Sequence, residues 1–170
     1  MRDADVVLRD GGMIHVRSME PSDAPGIVAM HSRLSERTQY LRFFRAYPRI
    51  PSSDLHRFAN VDHHDREAFV ALVNDAIVAV GRYERLSASD SAAEVAFVVE
   101  DTHQARGIAP VLLDRLASAA QEAGIERFVA EVMPGNTAML HVFTGAGYQV
   151  SAAYADGVLH VDFPINSESA

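Results

Sequence analysis

The chain has 170 residues, a net charge of −8 and a sequence pI near 5.4. Because nucleic-acid-binding surfaces need an excess of lysine and arginine, this charge argues against nucleic acid as the main partner. The absence of cysteine excludes disulfides and cysteine zinc sites, and no apolar stretch reaches the roughly 18 residues of a membrane span.

We expect one domain over residues 1–170, located in the cytoplasm, with flexible segments at residues 1–11 and 166–170. Apolar periodicity predicts a strand, three helices, a three-stranded meander, a helix, a strand, a helix and a final hairpin. In chain order these elements are a strand at 13–19, a helix capped by Ser22 or Asp23, short helices before Pro48 and from about Ser52, strands within 66–86 and at 92–100, a helix from Ile108 to about Ala123, a strand at 127–133, a helix from about Asn136 to Gly145 or Gly147, and a hairpin about Asp156-Gly157.

This order predicts an α+β fold with a mixed sheet and helices on its faces. Asn74-Asp75 and Asp156-Gly157 suit the positive φ angles of tight hairpin turns. The strand at 92–100, the helix after it and the strand at 127–133 form a βαβ unit, so these two strands are expected to run parallel.

A short turn between the strand at 92–100 and the long helix contains one glycine, Gly107. It lacks the three glycines of a dinucleotide fingerprint and the lysine of a Walker loop. A helix N-terminus still offers unpaired N–H groups and a positive dipole end to an anion. From the residues alone, an ordinary strand-to-helix turn explains the glycine equally well.

The pattern of this turn resembles the acyl-CoA pyrophosphate loop of the GNAT N-acetyltransferase superfamily, Q/R-x-x-G-x-G/A. Residues 35–50 and 93–109 are similar to segments of bacterial Pat-type protein lysine acetyltransferases. The resemblance implies a mostly antiparallel central sheet of about seven strands, flanked by helices on both faces. It also implies that the pyrophosphate of acetyl-CoA lies on the backbone of Gln104, Ala105, Arg106, Gly107, Ile108 and Ala109.

By the same resemblance, the pantetheine arm pairs with the backbone of Phe97, Val98 and Val99. Asn136 can cap the helix that follows it, and the resemblance adds a contact with the CoA arm. The implied activity is acetyl transfer from acetyl-CoA to an amine, without a metal. The preferred acceptor is a protein lysine, for instance on an acyl-CoA synthetase.

Acetyl transfer to an amine needs a base, since the ammonium form is not nucleophilic. Glu94 is the candidate, because it interrupts an apolar strand and partial burial would raise its pKa. A solvent-facing strand glutamate is the alternative, and the residues alone do not decide between them. The Pat-type pattern favours catalysis.

Many GNAT enzymes have a tyrosine acid at the position of Phe143, so the resemblance leaves the general acid unassigned. His141 and Tyr148 are interpreted as structural, and Glu100 and Asp101 as exposed loop acids. The run of residues 62–65 (DHHD) is interpreted as a surface loop, since adjacent side chains in an extended segment point opposite ways.

Two other functions remain open at this level: N-acetylation of a small-molecule amine, and a module that binds acyl-CoA without catalysis. Arg37, Arg42 and Arg45 are candidates for contacts with CoA phosphates or for solvated residues. Pat-type enzymes are often joined to a regulatory domain, so such a domain is a possible partner outside this chain.

Overall fold

In a computed structural model that describes residues 3–166, eight strands and five α-helices are assembled around one sheet. The strands are β1 (Ala4–Val7), β2 (Met13–Ser18), β3 (Arg66–Val73), β4 (Ala76–Arg85), β5 (Ala92–Val99), β6 (Arg127–Val132), β7 (Ser151–Ala155) and β8 (Val158–Pro164). The helices are α1 (Ala24–Ser32), α2 (Glu36–Phe43), α3 (Ser52–Ala59), α4 (Ile108–Glu122) and α5 (Thr137–Gly145).

The strand order is β1-β2-β3-β4-β5-β6-β8-β7, and β5 and β6 are the parallel pair in an otherwise antiparallel sheet. One core packs α4 and α5 on one face of the sheet, and a second core packs α1 and α3 on the other. The predicted α+β class, with helices on both faces of a mostly antiparallel sheet, is confirmed. None of the helices in residues 3–166 has the length and apolar character needed to cross a membrane.

The sheet has eight strands, whereas about seven were expected. The additional strand is β1, which the sequence did not predict. Ala4–Val7 pair with β2 from Ala4↔Val16 to Val7↔Met13, whereas a flexible segment was expected at residues 1–11. Four residues among charged neighbours give too short an alternation to be recognised, and the strand is stabilised by its partner β2. Of the expected flexible tail at 166–170, all but Asn166 lies outside the described residues.

Both predicted hairpin turns have the backbone expected of them. Asn74 and Asp75 have φ angles of 50° and 66°, and Asp156 and Gly157 have 55° and 78°. The predicted cap of α1 differs from expectation, since no side chain caps that helix. Asp23 instead accepts two hydrogen bonds from Arg17, at 2.7 and 2.8 Å.

Candidate active site

The parallel strands β5 and β6 form a cleft because their pairing stops early. They are in register from Ala92↔Arg127 to Glu94↔Val129, and no later residues pair. A cavity of about 500 Å³ opens between them beyond this point. Helices α2 and α5 and the turn after β5 complete its wall.

The open edge of β5 presents backbone groups of alternate residues to this cleft. The N–H of Glu100 donates to the carbonyl of Val78 at 2.8 Å, so the even-numbered residues of β5 bond to β4. The odd-numbered residues Phe97 and Val99 therefore direct their backbone groups into the cleft. The carbonyl of Val99 agrees with this alternation of backbone directions, since it points away from β4 and accepts a hydrogen bond from Gln104 Nε2 at 3.0 Å.

The turn at residues 104–109 has the geometry of an anion-binding helix N-terminus. Ala105 and Gly107 have positive φ angles of 62° and 86°, and Gly107 is the N-cap residue of α4. No side chain caps this helix, and a Cβ on Gly107 would meet no heavy atom within 4 Å. The space before the first N–H groups of α4 is therefore open to a ligand, and the helix dipole favours an anionic one.

Five of the six predicted turn residues line the cavity, namely Gln104, Ala105, Gly107, Ile108 and Ala109. Arg106 is the exception. Its Nε lies 2.6 Å from Asp10 Oδ2, and its Nη1 lies 2.8 Å from His103 Nδ1. The Arg106 side chain thus holds the loop between β1 and β2. Only the backbone of Arg106 is left to contact a ligand at the turn.

Asn136, at the other side of the cleft, is the N-cap residue of α5. Its Oδ1 accepts a hydrogen bond from the N–H of Met139 at 3.2 Å, and the residue lines the cavity. The predicted capping role is confirmed, and contact with a ligand stays a prediction.

Glu94 stands where β5 and β6 part. It is exposed, and its neighbours Val95 and Ala96 line the cavity while Glu94 itself lies just outside the lining. Strand alternation places its side chain on the face opposite buried Val95 and Phe97, which pack in the core beside α4. Glu94 therefore faces the side of the sheet that carries α1, α2 and α3.

The surroundings of Glu94 raise the pKa of its carboxyl group. Although water reaches the side chain, partial desolvation by the surrounding protein is the main cause. The carboxylates of Glu131 and Glu84 raise the pKa further, and the guanidinium of Arg42 opposes them. A raised pKa makes the carboxylate a stronger base than an ordinary surface glutamate.

The fold and this cleft agree with the sequence profile of the acetyltransferase (GNAT) family, which matches residues 32–148. The chain belongs to the GNAT acetyltransferase family.

Two relatives sharpen this assignment, and a third protein shares the fold. The acetyltransferase Pat of Mycolicibacterium smegmatis is 31% identical over 147 residues, which are 84% of this chain and 43% of that protein. The GNAT domain of S. lividans PAT superposes with a TM-score of 0.90 at 41% identity, covering 96% of this chain and 97% of that one. The protein yncA of Salmonella typhimurium, determined with its cofactor acetyl-CoA, gives a TM-score of 0.72 at 16% identity, over 92% of this chain and 96% of that one.

This GNAT acetyltransferase is thus Pat-like, as its sequence predicts, and spans less than half the length of the Pat relative.

The position of the usual GNAT tyrosine is filled by Phe143, which is fully buried. Its ring packs against Phe97 and Phe163, with ring centroids 6.2 and 5.1 Å away. It is a buried residue that also lines the cavity, and it has no proton to donate. His141 lines the cavity, whereas Tyr148 packs against Phe163 outside it, with the rings tilted and their centroids 5.0 Å apart.

The histidines of the run at residues 62–65 make local contacts in this GNAT chain. His63 Nδ1 lies 2.9 Å from Glu67 Oε1, and His64 Nδ1 lies 2.9 Å from Asp65 Oδ1. Among residues 3–166, no three histidine, aspartate or glutamate side chains are grouped so that they could hold a metal ion.

The expectation of an exposed loop acid is wrong for Glu100, whereas Asp101 is exposed as expected but is held by hydrogen bonds. Glu100 is buried and forms an ion pair with Arg33, and Asp101 accepts hydrogen bonds from Ser35 and Thr38 at the start of α2. Partial desolvation would raise the pKa of both carboxyl groups, but these hydrogen bonds outweigh it and lower the pKa of each. The partners lie more than 60 residues away, so local sequence could not reveal them.

Helix α2 supplies cavity residues that the sequence left undecided. Arg37 lines the cavity, as do Leu41 and Arg42 about one helical turn further along. Desolvation lowers the pKa of Arg42 to about 10, and its guanidinium lies 4.7 Å from the centroid of the Phe43 ring. Arg45 is exposed and lies over Tyr47 instead.

Proposed function

We propose that this enzyme transfers the acetyl group of acetyl-CoA to an amine, with Glu94 as the general base and a protein lysine as the acceptor. The observation that carries the proposal is the position of Glu94. A carboxylate with a raised pKa stands at the end of an open strand edge that leads to an uncapped helix N-terminus. The cytoplasmic location expected from the sequence remains part of this proposal.

The cleft fits an extended ligand with an anionic end. An added chain can hydrogen-bond to the backbone of Phe97 and Val99, as an extra strand would, whereas the register turns the backbone of Val98 toward β4. A pyrophosphate fits the N–H groups of residues 104–109, and Asn136 faces the same cavity. The acetyl-CoA of yncA, a protein with the same fold, supports this choice of ligand.

Acetyl-CoA supplies the acetyl group as a thioester, and this chain's own residues prepare the amine. Glu94 accepts a proton from the substrate ammonium, directly or through one water molecule. The free amine forms the new C–N bond to the acetyl carbon as the C–S bond breaks. The nitrogen loses its second proton as it becomes an amide, and this proton and the one on Glu94 both pass to solvent. Because Phe143 cannot donate a proton, the departing thiolate, a weak base, takes its proton from water.

Charge supports a cationic acceptor. Glu84 and Glu131 lie close enough to Glu94 to raise its pKa, and the chain carries a net charge of −8. A lysine ammonium is attracted by this negative field. The likeness to Pat adds a protein acceptor to the proposal, such as an acyl-CoA synthetase, together with a regulatory domain outside this chain.

The test compares Glu94→Gln with Glu126→Gln, a matched change at an exposed residue outside the cavity. We expect Glu94→Gln to bind acetyl-CoA normally in calorimetry and to lose about a hundredfold to ten-thousandfold in turnover, the usual contribution of a general base. Glu126→Gln should behave like the wild type. Unchanged turnover in Glu94→Gln would remove the assignment of the base.

The acceptor is tested by incubating the enzyme and acetyl-CoA with an acyl-CoA synthetase, and separately with a panel of polyamines, amino acids and aminoglycosides. Acetylated lysines detected by mass spectrometry would support the protein acceptor. A strong preference for a small amine would replace it. Tight acetyl-CoA binding without transfer to any amine would point to a binding module instead.

A further inference from the structure

Helix α2 forms one wall of the cavity, and its apolar packing is concentrated at its last residue, Phe43, whose ring stacks on Tyr47 at a centroid distance of 4.1 Å. Of its eight residues, only Thr38 is buried, whereas α4 buries eight residues along its length. A helix this short is marginal without tertiary support. Phe43 anchors the C-terminal end of α2, so the position of its first turn must depend on other contacts.

Those contacts are hydrogen bonds to the segment between β5 and α4. Asp101 Oδ1 accepts from the N–H of Ser35 at 2.9 Å. Asp101 Oδ2 accepts from Ser35 Oγ at 2.7 Å and from Thr38 Oγ1 at 2.8 Å. Hydrogen bonds to an ionised carboxylate are stronger than neutral ones, so Asp101 holds the first turn of α2 in place.

Gln104 extends this network to the cofactor side of the cleft. Its Nε2 lies 3.2 Å from Thr38 Oγ1 and 3.0 Å from the carbonyl oxygen of Val99. Val99 belongs to the open edge of β5, and Gln104 is the first residue of the turn at 104–109. One side-chain amide thus joins the wall helix, the strand edge and the turn.

We propose that a CoA molecule bound along β5 and on the turn at 104–109 fixes helix α2 through Gln104, Thr38 and Asp101. Thr38 and Asp101 are then positioning residues, which act through α2 and not on the reacting atoms. This inference rests on the proposed binding of acetyl-CoA in this cleft, and it adds a coupling between that binding and the opposite wall.

The physical basis is that the bound CoA contacts the groups that hold α2. A ligand shifts a conformational equilibrium only if it interacts differently with the two states. A CoA molecule that orders the Val99 edge and the backbone of Gln104 also orders the amide that bonds to Thr38. The state with α2 docked therefore binds CoA more tightly than the state with α2 loosened.

The consequence lies on the acceptor side. Helix α2 places Arg37, Leu41 and Arg42 on the cavity wall, and Arg42 acts on the pKa of Glu94. When CoA docks α2, it completes the surface that meets the amine and sets the charge beside the base.

Amide hydrogen exchange of the whole chain tests this proposal without any acceptor. Saturating CoA should slow exchange in residues 36–43 by about 5- to 150-fold, the usual range of coupling between two sites. Exchange at the N-terminus of α4, residues 108–112, serves in the same sample as the reporter of CoA occupancy. Calorimetry with CoA gives an independent measure of binding.

Three variants identify the route of the coupling. Thr38→Val removes the hydroxyl while nearly keeping the shape, and Thr38→Ser keeps the hydroxyl. Thr144→Val makes the same change on α5, where the hydroxyl bonds only to the carbonyl of Leu140 in its own helix, at 3.2 Å. We expect Thr38→Val to lose the CoA effect at residues 36–43 but to keep it at 108–112, and the other two variants to respond like the wild type.

The wild type alone can overturn the proposal, even if Thr38→Val does not fold. If CoA binds and protects residues 108–112 but leaves 36–43 unchanged, α2 is not coupled and the proposed acetyltransferase function still stands. Loss of protection at both segments in Thr38→Val would make Thr38 a direct CoA contact and would also refute the coupling. If calorimetry shows no CoA binding, the proposed function fails, and the inference fails with it.

Discussion

Gly107 and Gly124, at the two ends of helix α4, allow CoA binding and folding to be measured separately. Their φ angles are 86° and 79°, and a Cβ on either would meet no heavy atom within 4 Å. Gly107 lies at the turn that lines the cavity, whereas Gly124 follows the C-terminus of the same helix, outside the cavity lining. The substitutions Gly107→Ala and Gly124→Ala therefore impose the same backbone strain, and only one of them fills space that the phosphate would use.

The expected loss of stability is the same for both variants. A non-glycine residue in the left-handed region costs about 1–2 kcal/mol, and neither Cβ adds a clash. In a chain of this size, each kcal/mol lowers Tm by about 2–4 °C. Both variants should thus melt about 2–8 °C below the wild type in a thermal denaturation assay.

The expected loss of acetyl-CoA affinity differs between them. A methyl group on Gly107 keeps the phosphate from the N–H groups of the turn, and a hydrogen bond to a charged group contributes about 1.5–3 kcal/mol. Losing one such bond weakens binding by about ten- to 150-fold, which calorimetry resolves. Gly124→Ala should bind acetyl-CoA like the wild type. Equal affinities in the two variants would refute the placement of the pyrophosphate on this turn.

Three further predictions concern charged groups. Glu131→Gln removes a carboxylate that raises the pKa of Glu94, while the influences of Arg42 and Glu84 on that pKa remain. The acid limb of the pH profile of kcat/KM should therefore move to lower pH. An unmoved limb would show that Glu131 does not influence the base. Because the raised pKa makes the folded protein bind more protons than the unfolded chain, wild-type stability should fall as pH rises through the interval between the two pKa values. Glu94→Gln should therefore have a higher Tm than the wild type at pH 8, and the gap should shrink toward acidic pH; a gap independent of pH would contradict the raised pKa. Asp101 has a lowered pKa, so its stabilising contribution is present at neutral pH and is lost as pH falls through the folded-state pKa. Asp101→Asn should therefore melt below the wild type at pH 7 and approach it in acid, and equal Tm values at pH 7 would argue against the tether of α2.

Much of this fold follows from local sequence, because its elements have strong local signals. The turn pairs Asn74-Asp75 and Asp156-Gly157 have the positive φ angles that their residue types predict. The apolar spacing from Ile108 onward predicts α4, which is buried along that face. These features depend on contacts within a few residues, so the sequence contains the information directly.

The shape of the cleft is a different kind of property. Nothing in the segments of β5 and β6 shows that their pairing ends at Glu94↔Val129, since that depends on how two strands separated by a helix meet. The first turn of α2, which forms part of the cavity wall, is held by hydrogen bonds to Asp101, over 60 residues away in sequence. The sequence could therefore predict the turn at 104–109 and the candidate base, but not the wall that faces them.

The acidic residues Glu100 and Asp101 come just before a turn proposed to bind an anion, and two free carboxylates there would repel it. The structure removes this conflict, because Glu100 is neutralised by the guanidinium of Arg33 and Asp101 directs its oxygens to Ser35 and Thr38 on α2. His103 Nε2 also lies 3.9 Å from Glu100 Oε2. The acidic pair therefore attaches the wall of the cleft to the turn without opposing the positive end of the α4 dipole. Of the two carboxylates beside this phosphate site, Glu100 is thus paired with Arg33, and Asp101 allows the site to hold helix α2.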